Sequence, residues 1–420
     1  MRLIGNKTRL LPEIEAFLRD RGILGGTLLD IFSGTAAVGR HFKALGFRVI
    51  SNDHLAMCHA KAVADVEVGK APPFKGLRER FRDILSSDTF RNTFSFQADS
   101  ILSLESRPLA EAIHLLQGFV EPTEGLIFRN YSPGGAAGRM YFSDDNGRKI
   151  DGILLMLREG QRSGFLNRSE FYLLLSSLLD AADRVANISG TYGAFLKNWQ
   201  RNARQPLSLQ VPAIYPSSKK NEAHNEDANT LIRKIKGDIL YVDPPYNHRQ
   251  YAANYHVLQV IAEHSTIDNF AAYEQALYGK TGLRPYDDLR SSFCVPPGDE
   301  PTPADAYGAM RDLILNARVE HVLVSYNEEG ILTREELGGI LARFSGKRSF
   351  DYDAGLRNIS YKRFCSDSDR PEGDCTRGRR VYKILEGKGR GETSEWLLLA
   401  SGARSRSRAR TRKTASPLPG

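Results

Sequence analysis

No stretch of this 420-residue chain approaches the run of about 20 apolar residues that a bilayer span requires. Its densest apolar patches, 153–157 and 396–400, are short enough to be the buried part of a helix or strand. Arg9, Glu13 and Glu15 break up the start of the chain, so no secretory leader is expected there. Cysteine is scarce: Cys58, Cys294, Cys365 and Cys375 stand alone, without paired spacing. That argues against a disulfide framework and against a cysteine-built zinc site, and a reducing cytoplasm fits. Acids are missing from residues 402–420, where Arg404, Arg406, Arg408, Arg410, Arg412 and Lys413 supply six of the eight net positive charges. The body is therefore nearly neutral, and the overall charge says little about what it binds. With so little apolar matter the tail, 401–420, is expected to be disordered.

What remains is an ordinary globular composition, 41% hydrophobic and 26% charged. The length suits two domains, or one domain with a large insertion. The chain is organised around Ile239-Leu240-Tyr241-Val242-Asp243-Pro244-Pro245-Tyr246-Asn247. Its first four residues predict a short buried strand. Two prolines then remove two backbone donors and fix φ, so neither ladder nor helix continues. Asp243 and Tyr246 are expected on a stiff loop at the C-terminal end of a strand, where open α/β sheets place their ligands.

Earlier in the chain, residues 27–32 read as a strand, 33–39 as a small-residue loop, 37–45 as a helix ended by Gly46, and 48–51 as a second strand ending at Asn52-Asp53. Small residues at such a turn let backbone amides approach a ligand. Asp53 follows Asp30 by 23 residues, near the ~20-residue offset at which an acid caps a ribose in dinucleotide folds. A Gly-rich turn of this kind is shared with nicotinamide-dependent enzymes. Ahead of it, Asn6 or Thr8 can cap an N-terminal helix whose apolar face includes Leu11, Ile14, Phe17 and Leu18.

From Val63 to about Pro206 the alternation stops. Residues 141–150 predict a hairpin around Asn146-Gly147, and 170–186 an amphipathic helix with a core-facing stripe. Phe128-Arg129-Asn130-Tyr131 and the segment 192–201, with Lys197, Trp199 and Arg201, mix aromatics with cations. That mixture suits nucleic-acid backbones and bases, and equally an aromatic core with solvated charges. The αβ pattern resumes near Asn225, where Asp227 reads as a helix cap or a ligand contact. After the quartet, Arg249 sits on a polar loop ahead of a helix at 253–263, and 280–285 is a basic turn-rich loop. His248 has no carboxylate or cysteine partner in sequence, so no metal is expected. Residues 321–326 predict a strand, Thr333 with Glu336 a capping box opening a helix over 334–344, and 352–364, 380–386 and 395–400 the closing strands.

The quartet Asp243-Pro244-Pro245-Tyr246 resembles the catalytic motif of the amino-methyltransferases, and Asp in first place is usual in the adenine-specific DNA enzymes. The order of Gly5-Asn6-Lys7, Asp30-Ile31-Phe32-Ser33-Gly34, Asp53, a long insertion, the quartet and Ser325-Tyr326-Asn327 is similar to the class that places cofactor motifs first and a recognition domain before the catalytic motif. The resemblance covers roughly 2–60 and 225–365. Leu3 stands where that family has an aromatic, and Ala36 where it usually has Gly.

The resemblance implies a Rossmann-like α/β fold that uses S-adenosylmethionine. On this reading 1–62 and 207–400 form the catalytic domain and 63–206 an inserted target-recognition domain. It further implies Lys7, Asp30, Phe32, Gly34, Asp53 and Asp227 at the cofactor, with Asp99 a rival to Asp227. Asp243, Pro244, Pro245 and Tyr246 then stand at the reacting base, and Arg249, Lys197 and Arg201 against nucleic acid. The expected partner is duplex DNA, with a restriction endonuclease as a further one. An RNA adenine methyltransferase, a cytosine amino-methyltransferase and a degenerate fold that only binds nucleic acid are the alternatives.

Overall fold

The computed structural model describes residues 1–95, 104–298, 300, 302–362 and 392–402. Asp99, the expected strand at 380–386 and the basic tail from 403 lie outside them. Among the described residues there are seven strands: β1 (Thr27–Asp30), β2 (Arg48–Asn52), β3 (Glu222–His224), β4 (Ile239–Val242), β5 (His321–Asn327), β6 (Leu356–Lys362) and β7 (Glu392–Ser401). Their order in the sheet is β3-β2-β1-β4-β5-β7-β6. The fold is α/β, as the sequence predicts. The chain divides into two compact units, Met1–Leu240 with Arg249–Ser291, and Tyr241–His248 with Ser292–Gly420.

In the first unit, β1 pairs in parallel with β2 (Thr27 opposite Arg48) and β2 in parallel with β3 (Ile50 opposite Glu222). Leu28, Leu29, Val49 and Ile50 are buried, which is the near-continuous apolar character of a parallel sheet covered by helices. The helix Ala37–Ala44 lies between β1 and β2 in the chain and buries Val38 and Phe42, with Phe42 edge-on to Phe47 at 5.1 Å. In the second unit, β7 pairs antiparallel with both β5 and β6. Thr333 and Glu336 form the expected capping box on the helix Arg334–Phe344. Residues 352–355 are not strand: Asp351 caps a helical turn there, and β6 begins at Leu356.

Among the described residues of 63–206 there are helices and loops and no strand, and the hairpin expected at Asn146-Gly147 does not exist. Ser143 caps a helix running Asp144–Arg162 by accepting from the Asn146 amide. Gly147 serves a different purpose from the one its neighbour implied. A Cβ there would lie 2.2 Å from Ser132 Oγ and 3.3 Å from Phe128 Cα. Glycine is needed because another helix, Leu126–Tyr131, passes too close for a side chain.

The two helices are also joined by a charge. Asp151, fully buried on the first, accepts from the amides of Gly125 (3.0 Å), Ile127 (2.9 Å) and Phe128 (2.7 Å) at the start of the second. It satisfies three of the donors that a helix leaves open at its N-terminus. Burial pushes its carboxyl up to about 7, against the pull of those three amides.

Among the described residues, no helix is long and apolar enough to cross a membrane. No group of three or more His, Cys, Asp or Glu is placed to hold a metal ion.

Replacing Asp151 by Ala would leave the buried amides of Ile127 and Phe128 unpaired, each worth ~1–3 kcal/mol, while Gly125 N keeps the Thr123 carbonyl at 3.0 Å. The expected outcome is a loss of at least ~2 kcal/mol of unfolding free energy at unchanged m-value, measured by urea denaturation. A loss under about 1 kcal/mol would show that water or a shifted backbone takes over those amides.

Candidate active site

The first unit carries the residues expected at a cofactor, and hydrogen bonds stitch them into one rim. Asp30 ends β1, is buried, and takes the Gly39 amide on Oδ2 at 3.0 Å. A side chain at Gly39 would meet both Ser51 Oγ (2.8 Å) and that Asp30 oxygen (3.0 Å), so the helix start can sit this close to the strand ends only as glycine. Asp53 follows β2, accepting from Gly34 N at 2.8 Å and Leu55 N at 3.0 Å. Burial pushes its carboxyl up, and the two amides pull it back. Ser33 N also donates to Asn52 O at 2.9 Å. The loop after β1 is thus fixed to the end of β2.

Gly34 has φ +51, and a Cβ built there would only touch Leu3 Cδ1 at 3.9 Å, so glycine is favoured by the backbone conformation and not by crowding. Ala36 takes φ 60 as the residue before the helix. The family's usual glycine is thus replaced by a residue in the same left-handed region, at a strain of ~1–2 kcal/mol. Its methyl is buried.

Two further segments join this rim. Asn6 caps the turn Lys7–Arg9 by accepting from Thr8 N, and its amide donates to Thr35 Oγ1 at 3.1 Å. Lys7 in that turn is only 5% exposed. On the other side, Asn225 donates to the carbonyl of Asp53 (2.7 Å), and Asn52 exchanges hydrogen bonds with the backbone of Glu226. Glu226, the residue before Asp227, is thereby tied to the end of β2. Asp227 Oδ1 accepts from Thr230 N at 2.8 Å, so Asp227 does cap the helix Ala228–Leu231. Phe32, between Asp30 and Gly34, is half-buried.

Sequence reasoning missed the residues that hold the start of the chain. Ile4 donates to Tyr255 Oη (2.8 Å) and accepts from Tyr251 Oη (2.9 Å), while Arg2 bonds Asp183. No local signal points to such distant pairs.

Of the positions expected against nucleic acid, Lys197 and Arg201 are exposed and have no ion-pair partner among the described residues; Arg249 is exposed. In the segment 128–131, Phe128 and Tyr131 are buried, and Arg129 and Asn130 both engage Glu274. Those four are structural.

In the second unit, the quartet follows β4, whose four residues are all buried. Pro244 is buried, and Asp243, Pro245 and Tyr246 are half-buried. Tyr246 is held from two sides. Its carbonyl accepts from Ile331 N at 2.9 Å, and its ring lies edge-on to Tyr326 at 5.9 Å and 62°. Tyr326 is buried, accepts from Leu332 N at 3.1 Å, and leaves no room for a side chain on Gly330, whose Cβ would fall 2.3 Å from the ring. Burial pushes its phenol up to about 12. Tyr326 is thus the brace of Tyr246, a role the sequence could offer only as a strand ending in Ser-Tyr-Asn.

These elements are an acid-lined rim at the ends of β1 and β2, and an aromatic fixed one residue beyond two prolines. The comparisons with known proteins bear on what they are for. Residues 3–296 match the profile of the D12 class N6 adenine-specific DNA methyltransferases. The chain is 35% identical to the modification methylase StsI of Streptococcus sanguinis over 92% of its own length and 51% of that protein. It is 36% identical to the type II methyltransferase M.FokI of Planomicrobium okeanokoites over 81% of its length and 46% of the relative. It is 34% identical to the type II methyltransferase M.NlaIII of Neisseria lactamica over 87% of its length and 93% of the relative. The chain thus spans about half of the first two. No solved structure matches it. The family profile runs from the Asn6–Lys7 turn through the Asp53 rim to beyond Tyr246, and the chain belongs to the D12 class of N6 adenine-specific DNA methyltransferases.

Proposed function

We propose that this chain transfers a methyl group from S-adenosylmethionine to the exocyclic amino nitrogen of adenine at a specific site in duplex DNA, in the cytoplasm, as the modifying partner of a restriction endonuclease. The observation that carries the reading is the quartet itself: an acid ending a buried strand, a double proline, and a tyrosine pinned through its carbonyl and its ring. Residues 63–206 act as the target-recognition domain, with Lys197 and Arg201 on that segment and Arg249 after the quartet meeting phosphates.

The donor set of the rim fits the cofactor. S-adenosylmethionine carries a cationic amino-acid end and a ribose diol, and the rim offers Asp30, Asp53 and Asp227. The oxygens of Asp53 take the Gly34 and Leu55 amides and the Cys58 thiol, and the fourth acceptor site of the carboxylate suits a ribose hydroxyl. Lys7 and Phe32 complete the set at its edge. When bound, the cofactor supplies an electrophilic methyl group on a sulfonium.

The protein's own task is positioning. An amino group conjugated to a purine is a poor nucleophile, so the nitrogen must be held in line with the methyl carbon and sulfur. The Asp243 carboxylate and Pro244 carbonyl each accept a hydrogen bond from the amino protons. This draws the nitrogen toward tetrahedral geometry and frees its lone pair. Acceptors set where positive charge develops act electrostatically and need no reorganisation during the reaction. Pro245 keeps the corner stiff. The target atom lies inside the duplex, so the base must leave the stack, and Tyr246, already braced, offers it a face.

Asp243→Ala is expected to lower methyl transfer by at least ~100-fold while cofactor binding by calorimetry stays near wild type. Incorporation of labelled methyl into duplex DNA at the wild-type rate would refute the reading, and transfer to RNA but not to DNA would change the substrate. Asp53→Ala should do the reverse and weaken cofactor binding. Losing hydrogen bonds to a charged acceptor is worth ~1.5–3 kcal/mol, or roughly 10- to 150-fold in Kd. An unchanged Kd would remove Asp53 from the cofactor site.

A further inference from the structure

Outside the rim and the quartet, one hairpin tip is tied down through its carbonyls and carries an exposed lysine. The chain reverses at Tyr278 and Leu283, which exchange both backbone hydrogen bonds at 2.9 Å. The four-residue tip between them is Gly279-Lys280-Thr281-Gly282. Its glycines have φ +69 and +67, the left-handed region that favours glycine.

Every carbonyl of that tip is tied to the body. Gly279 O accepts from Arg139 Nη2 (3.2 Å) and Gly282 N (3.3 Å), and Lys280 O from Arg139 Nε (3.1 Å). Thr281 O lies 3.1 Å from Nε2 of the buried His256, and Gly282 O accepts from the buried Tyr131 hydroxyl at 2.8 Å. Arg139 is itself fixed by a third bond, to Asn130 O at 3.0 Å. A side chain on Gly282 would meet that guanidinium at 2.7 Å.

The donors tell the opposite story. Among the described residues, the amides of Gly279, Lys280 and Thr281 have no hydrogen-bond acceptor within the chain. The charges nearby are equally one-sided. Glu274 is taken by Arg129, Glu263 and Asp288 by Arg284, and Asp287 by Arg290. Lys280 is exposed, and neither it nor Arg139 has an ion-pair partner among the described residues. Consecutive free amides beside an uncompensated cation make an anion-binding concavity. Because the tip is already rigid, little ordering cost opposes binding. Tyr278, 49% exposed at the hairpin base, presents an aromatic face next to it.

We propose that the Gly279–Gly282 tip grips a backbone phosphate of the duplex, with Lys280 supplying the charge and Arg139 holding the tip in place from behind. The proposal rests on the DNA reading above and adds a positioning contact to it.

The test uses the full chain and a duplex oligonucleotide known to be methylated by it, with binding followed by fluorescence anisotropy across a salt series. Lys280→Ala should weaken binding about 3- to 10-fold and lower the slope of log K against log salt by ~1, the share of one phosphate contact. Lys280→Arg should restore both. Arg139→Lys keeps the charge but loses the fork, and it should also weaken DNA binding, with cofactor affinity and thermal midpoint near wild type. Wild-type affinity and slope in Lys280→Ala overturn the phosphate contact, and wild-type affinity in Arg139→Lys overturns the clamp. A wild-type chain that methylates DNA while Lys280→Ala binds normally leaves the proposed function standing without this contact. A wild-type chain that binds no duplex brings down both.

Discussion

The carboxylate of Asp53 is the constraint on which the first unit turns. It takes one amide from the loop after β1 and one from the segment after β2, and with the Ser33–Asn52 bond it makes the two strand ends one edge. Asn52 and Asn225 extend the same edge to the start of the helix that Asp227 caps. Backbone amides and carbonyls do most of this work, and side chains of one or two carbons provide the links. Short side chains lose little rotamer freedom when fixed, so the rim is stiff at small entropic cost.

The second unit reaches stiffness by another route. Two prolines remove the freedom of the chain after β4, and the next residue is caught between a backbone bond to Ile331 and the ring of Tyr326. Gly330 is what lets the loop of Ile331 come so near that ring. The result is an aromatic held by its own surroundings. For a reaction whose barrier depends on alignment, fixing the geometry in advance is the main contribution a protein can make.

Much of this was legible from the residues. β1, β2, β4 and β5 are short apolar runs bounded by breakers, and the helix Arg334–Phe344 announces itself through Thr333 and Glu336. Asp30, Gly34 and Asp53 can be placed at strand ends and in the loop between because a strand-loop-helix turn constrains residue type locally. Asn146-Gly147 failed for an instructive reason. Glycine is demanded both by positive φ and by close approach, and only the fold shows that Ser132 stands 2.2 Å from where its Cβ would be. The partners of Ile4, the brace on Tyr246 and the Arg139 clamp left no trace in the sequence, because each joins positions far apart through contacts that any tyrosine or arginine could make. Likewise, nothing in Phe128-Arg129-Asn130-Tyr131 revealed that Glu274 occupies its polar groups.

The pairing of β2 with β3 sets an order of events. Ile50 lies opposite Glu222, so this edge of the sheet cannot form until the whole intervening helical region has left the ribosome. Closing a flexible loop of that length would cost about 2.5 kcal/mol more than closing one of ten residues. The penalty shrinks if the helices of 63–206 condense first, for then the ends of the loop arrive already near one another. This helical segment is in that sense a folding intermediary for the strands that flank it in sequence, and a chain weakened there would show its defect as slow completion of a β-edge far from the altered residue.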